Sequence, residues 1–143
     1  MIVEYNETLE GYLNENLLSK NKVNLELKNN PFGKYLLYIE NNKFIGYIYY
    51  SDIYERAEIN YFEIKVNNRN CGKGKRLLKE FIKLVNKDIT LEVNIKNIAA
   101  IKVYEECGFI RNSIRKGYYN GIDGILMERK LKREWSIWRT CIY

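Results

Sequence analysis

The chain contains no histidine. That excludes a Ser-His-Asp or Cys-His nucleophilic arrangement and any histidine-ligated metal, so proton transfer falls to Glu, Asp, Tyr, Lys or Cys. Cysteine is scarce. Cys71, Cys107 and Cys141 are odd in number and lack metal-ligand spacing, so they read as reduced thiols of a cytoplasmic protein, with no metal expected. Proline occurs once, at Pro31. No apolar run approaches the roughly 20 residues of a membrane span. The segment from Met1 to Glu7 has no basic stretch leading into an apolar one, so neither a membrane partner nor a signal peptide is expected.

What is present is a globular composition. The 143 residues fit one domain, and 46% of them are hydrophobic, enough for a core without disulfides or metals. There are 24 Lys+Arg against 18 Asp+Glu, a net charge of +6. That balance favours anionic partners (phosphate-rich ligands, nucleic acid or a ribosome surface) without choosing among them. No repeat or low-complexity linker interrupts the chain. The expected organisation is one domain over 1–131 and a tail over 132–143, where Trp135, Trp138 and Ile142 have no assigned role.

Periodicity supplies the elements. Residues 2–5 read as a short strand, 7–19 as a helix on the stripe Leu9, Tyr12, Leu13, Leu17 and Leu18, and 20–34 as a polar loop. Tyr35–Glu40 and Lys43–Ser51 read as a hairpin about Asn41-Asn42, with Ala57–Val66 as a third strand. Gly72–Asn86 is the clearest helix, its apolar stripe being Leu77, Leu78, Phe81, Ile82 and Val85. Ile89–Asn94 is a strand and Ile98–Glu106 a helix, with Asn97 as N-cap and Gly108 beyond its end. Phe109–Tyr118 and Gly124–Leu131 are two strands around Asn120-Gly121. The order implies an α/β (α+β) domain, a mixed sheet with helices packed on it.

Three features carry chemistry. Arg69-Asn70-Cys71-Gly72-Lys73-Gly74-Lys75-Arg76 lies between a strand and a helix. Its glycines and the helix N-terminus suit a pyrophosphate, and they equally suit a flexible turn beside a basic helix face. Alternation places Glu92 opposite Ile89, Leu91 and Val93 on a strand between two helices. There it is a general base for an amine or a solvent-exposed strand-end residue. Tyr104 follows Ala100 and Ile101 on the next helix, as a core aromatic or as a hydroxyl that protonates a leaving group.

In this order, Arg69-x-x-Gly72-x-Gly74, Leu91-Glu92-Val93 and Asn97-x-Ala99-Ala100-Ile101-x-x-Tyr104-Glu105-x-x-Gly108-Phe109 resemble the GCN5-related N-acetyltransferase (GNAT) superfamily. Within it they resemble the RimI-type ribosomal-protein-alanine N-acetyltransferases. Ile114-Arg115-Lys116-Gly117-Tyr118-Tyr119 and Asp123-Gly124-Ile125-Leu126-Met127 resemble the C-terminal strands of the same group.

The resemblance implies a GNAT fold, a mixed central sheet splayed between two parallel strands with helices on both faces. It implies acetyl-CoA as cosubstrate, with Phe62, Glu63 and Ile64 lining the acetyl-pantetheine. Asn70, Cys71, Gly72, Lys73, Gly74 and Lys75 would bind the pyrophosphate mainly through backbone N–H groups, and Asn97 would contact the cofactor as well as cap its helix. Glu92 is then the general base and Tyr104 the general acid of a direct attack. Tyr118 and Tyr119 line the acceptor groove or are plain strand aromatics. Lys73 departs from the family's usual aliphatic residue, and the first helical region lacks the Pro-Trp-Ser-like segment of RimI-type enzymes. The acceptor is expected to be a primary amine, first a protein N-terminal α-amine such as that of a ribosomal protein, second a small-molecule amine or a lysine. A basic RNA-binding module without catalysis is the third reading. Nucleic acid is not expected as a direct ligand, because the helix lysines are not interleaved with stacking aromatics.

Overall fold

A computed structural model of the chain describes residues 1–69 and 71–131. The expectations for Asn70 and for the tail 132–143 lie outside these described residues. Among the described residues the elements run β1 (Ile2–Glu4), α1 (Lys20–Asn29), β2 (Gly33–Glu40), β3 (Lys43–Ile53), β4 (Arg56–Ile64), α2 (Lys73–Val85), β5 (Asp88–Asn94), α3 (Ile98–Glu106), β6 (Ile110–Tyr119) and β7 (Ile122–Arg129). The strands form one mixed sheet in the order β1-β2-β3-β4-β5-β7-β6, and β4–β5 is its parallel pair. No helix among the described residues is long and apolar enough to cross a membrane.

Each face of the sheet has its own core. On one side α2 and α3 bury Leu77, Leu78, Phe81, Ile101 and Tyr104 against Tyr50, Ile59, Leu91 and Met127. Phe81 meets the edge of Tyr50 with ring centroids 4.8 Å apart. On the other side α1 and the segment before it cover Tyr35, Leu37, Tyr47 and Tyr49. Because β2 and β3 are buried on both faces, they read as continuous apolar runs rather than as alternation. The expected layering, helices on both faces of a mixed sheet, is present.

The first 30 residues depart from expectation. Only Glu7–Tyr12 is helical within 7–19, as a short 3-10 helix, and the expected loop holds α1. Leu9 and Tyr12 pack against the core from that 3-10 helix, and Leu13, Leu17 and the buried Leu18 do so from the turns that follow it. Helix α1 carries one buried residue, Val23, so it has almost no apolar stripe to detect. Its start is marked instead by Ser19, whose Oγ accepts a hydrogen bond from the Lys22 N–H at 3.1 Å.

The sheet opens at its centre. Strand β4 pairs with β5 from Arg56↔Asp88 to Ile59↔Leu91, and no pairing continues beyond that point, although both strands run on. The cause lies one residue further along. Tyr50 faces Ile59 while Tyr49 faces Tyr61, so Asn60 is an extra residue, a β-bulge. Bulges bend the strand that carries them. Asn60 is anchored through its Nδ2, which donates to Ser51 Oγ at 2.8 Å. Beyond the bulge β4 stays fastened to β3, where a Cβ added to Gly46 would lie 2.9 Å from the Glu63 carbonyl oxygen. The strand therefore leaves β5 rather than β3.

Candidate active site

The opening between β4 and β5 leads to the start of α2. Gly72 caps that helix with φ 80°, a left-handed conformation that suits glycine. The first N–H groups of α2 are thereby free to face an anion. Phe62 and Ile64 line the same side, and a Cβ added to Gly74 would sit 3.6 and 3.5 Å from them. Glu63 points to the opposite face, where its carboxylate accepts a hydrogen bond from the Tyr47 hydroxyl at 3.2 Å. Phe62 and Ile64 are thus together by side chain, and Glu63 adjoins them only through the backbone. The unpaired edges beyond Ile59 and Leu91 suit an extended ligand that carries its own amides.

The lysines of the glycine loop are engaged elsewhere. Lys73 Nζ donates to Glu40 Oε1 at 3.1 Å, tying the start of α2 to the end of β2. This hydrogen bond holds the Glu40 carboxyl below its ordinary value. It also gives Lys73 a role that its departure from the family pattern left open. Lys75 Nζ donates to Glu106 Oε2 at 2.8 Å and ties α2 to the end of α3. Arg69 Nε donates to the Ile64 carbonyl at 2.7 Å and turns the chain back toward β4. Cys71 is exposed, its Sγ 3.0 Å from the Asn68 carbonyl oxygen. Arg76 is exposed and, with Gly72 and Lys79, borders a basic depression of about 280 Å³. A pyrophosphate there would meet helix N–H groups and Arg76, while Lys73 and Lys75 brace the helix.

Asn97 caps α3, its Oδ1 accepting from the Ala100 N–H at 3.2 Å. The capping role is therefore present in the geometry.

Tyr104 comes from α3 on the α2–α3 face. It is 7% exposed, with its ring 6.1 Å from Phe62 and 5.6 Å from Phe109. Burial pushes its phenol well above the ordinary tyrosine value, and Tyr119 adds to the shift. The hydroxyl therefore stays protonated.

Glu92 comes from β5 on the opposite face, as alternation requires. There a groove of about 800 Å³ opens beside α1, and Glu92, Tyr118 and Tyr119 all line it. Glu26 and Glu58 line it too, so three carboxylates face one guanidinium, that of Arg115. Arg115 Nη1 donates to Glu92 Oε1 at 2.6 Å. Glu92 Oε2 is buried without a hydrogen-bond partner. Burial, and then the charge of Glu92, raise the Tyr119 phenol. Glu92 and Tyr104 thus approach the opening from its two faces.

Sequence reasoning did not single out Arg115, Glu26, Glu58, Glu40 or Asn60. For Arg115 no spacing could reveal the partner, which lies 23 residues away on another strand. For Asn60 there was a signal. Buried residues on β4 switch from odd positions, Ala57 and Ile59, to an even one, Ile64, and this phase change marks the extra residue.

A sheet that opens between two parallel strands, with a glycine-led helix N-terminus at the opening, is the architecture of an acyltransferase that takes a coenzyme A thioester. The chain belongs to the acetyltransferase (GNAT) family, whose description matches residues 3–109. A candidate [ribosomal protein bS18]-alanine N-acetyltransferase of Bacillus subtilis (strain 168) is 32% identical over 108 residues, covering 71% of this chain and 72% of its own. The ribosomal-protein-S18-alanine N-acetyltransferase of Escherichia coli has the same fold, with a TM-score of 0.76 at 21% identity over 93% of this chain and 94% of that one. So does a family member from Elizabethkingia anophelis with acetyl-CoA bound, with a TM-score of 0.73 at 22% identity over 91% and 98%.

Proposed function

We propose that this N-acetyltransferase moves the acetyl group of acetyl-CoA to a protein N-terminal α-amine in the cytoplasm, with Glu92 as general base and Tyr104 as general acid. The alanine terminus of a ribosomal protein, the acceptor named for the Bacillus subtilis relative, is the first to test. The observation that carries the reading is Glu92. It lines an acidic, tyrosine-walled groove that adjoins the strand opening, and one of its oxygens is buried without a partner. On a chain of net charge +6, that local excess of carboxylates favours a cationic acceptor.

Acetyl-CoA supplies the activated thioester, held by the edges of β4 and β5 near Phe62, Glu63 and Ile64 and by the loop at Asn70, Cys71, Gly72, Lys73, Gly74 and Lys75, with Asn97 close by. Glu92 takes the ammonium proton of the acceptor, freeing the nitrogen lone pair to bond the acetyl carbon. Tyr104 gives its phenolic proton to sulfur as the C–S bond breaks. The nitrogen of the new amide loses its second proton to solvent, and Glu92 releases the one it took. The Tyr104 phenolate takes one back, so both groups reset and one proton is released per turnover. An α-amine has a pKa near 8, so a modest base suffices. Burial keeps Tyr104 protonated until sulfur departs.

An acceptor panel tests the reading. Peptides with a free α-amine are expected to turn over; if they are inert while a polyamine or an aminoglycoside is acetylated, the N-terminal assignment fails. Tyr104→Phe is expected to lower kcat by roughly 10²-fold while calorimetry shows unchanged acetyl-CoA affinity. Full activity in that variant would remove Tyr104 from the mechanism. Binding is also expected to fall steeply for coenzyme fragments that lack the pyrophosphate. A steeply salt-dependent affinity for RNA with no acetyl-CoA binding would instead favour the non-catalytic module.

A further inference from the structure

Building on the acetyl-transfer reading above, we infer that Arg115 is a positioning residue for the reaction: its guanidinium pins one oxygen of Glu92 and so leaves the other, Oε2, to receive the acceptor's proton.

The geometry separates the two oxygens. Oε1 receives Nη1 of Arg115 at 2.6 Å, a short charge-assisted hydrogen bond. Oε2 is buried and unpaired. A carboxylate held at neither oxygen rotates about its last bond and offers either one; held at Oε1, it presents Oε2 in a fixed direction. The guanidinium is steadied in turn, because its central carbon lies 4.5 Å from the Tyr118 ring centroid. Arg115 and Tyr118 belong to the same strand, β6, and both line the groove. The Glu92 side chain is 21% exposed and that of Arg115 is 61% exposed, so the pair spans the step from the groove floor to solvent. A surface ion pair of this kind adds little to stability. Its effect is directional, and a small misalignment of a reacting group is costly in rate.

The inference also assigns a role to Tyr118. The ring holds Arg115, and through it the base, while Tyr119 lies close enough to feel the charge of Glu92 and to raise the Tyr104 phenol.

The test compares Arg115→Ala, Arg115→Lys and the unaltered enzyme under saturating acetyl-CoA, on whichever acceptor the panel identifies. Arg115→Ala is expected to lower kcat roughly 10- to 100-fold, with the melting temperature and the KM for acetyl-CoA unchanged. Arg115→Lys should recover part of the loss, since an ammonium reaches the carboxylate without the fork geometry. Free guanidinium at low millimolar concentration should raise the rate of Arg115→Ala and leave the unaltered enzyme unmoved. The inference is overturned if kcat is unchanged or higher in Arg115→Ala. A rise in either KM at constant kcat also overturns it, because Arg115 would then bind a substrate rather than orient the base. An unaltered chain that acetylates no acceptor refutes the acetyl-transfer reading itself, whereas an active chain with an equally active Arg115→Ala refutes only the role of Arg115.

Discussion

Replacing Glu92 by Gln is expected to lower kcat at pH 7 by roughly 10²- to 10³-fold, while calorimetric affinity for acetyl-CoA stays within twofold of the parent. The substitution keeps the size and shape of the side chain and leaves an amide that accepts no proton. Arg115 loses its ion partner, but its side chain is already largely in water, so the fold should tolerate the change. The sign of the pH dependence follows from the acceptor. With an α-amine pKa near 8, most of the acceptor is protonated at pH 7 and most is neutral at pH 9. The variant should therefore recover part of its rate as pH rises, because solvent has already done the deprotonation. A Glu92→Gln enzyme with parental kcat at pH 7 would show that the amine enters neutral and that Glu92 has another task.

The second large effect is on stability. Phe81 is 0% exposed and lies beneath the sheet, edge-on to Tyr50 at 4.8 Å. Phe81→Ala is expected to cost about 3–5 kcal/mol, the loss of a buried aromatic plus the cavity it leaves. Against a typical domain stability of about 5–15 kcal/mol, that is a drop in melting temperature of roughly 10–20 °C. Urea denaturation with an unchanged m-value would confirm it. A loss below about 1 kcal/mol would mean that α2 repacks freely. Saturating acetyl-CoA should restore part of the lost stability by mass action, since the ligand binds only the folded form.

What the sequence disclosed follows from which forces leave a periodic trace. Helix α2 was legible because Leu77, Leu78, Phe81 and Val85 recur on one face, and its ends were marked by Gly72 and Asn86, both left-handed. Strand β5 was legible because Ile89, Leu91 and Val93 alternate with Thr90, Glu92 and Asn94. That alternation also placed Glu92 on the groove side. Helix α1 was hidden because only Val23 is buried on it. The ion pairs were hidden for a different reason. Lys73–Glu40 joins residues 33 positions apart and Lys75–Glu106 residues 31 apart, and such partners are set by the fold rather than by local pattern. The loop lysines therefore read as phosphate ligands in sequence, whereas the structure shows both already engaged with carboxylates.

Asn60 has a consequence for how this chain could change over evolutionary time. Deleting that one residue would leave Ala57, Ile59, Phe62 and Ile64 on the same face, since the bulge carries Asn60 and Tyr61 on one side together. The core would keep every hydrophobic residue it has. The two parallel strands, relieved of the bend, would be free to zip along their remaining length and gain backbone hydrogen bonds. Such a chain would be the better sheet and the poorer enzyme, with no doorway between its substrates. A single polar residue thus holds the doorway open, and selection for stability alone would favour its loss.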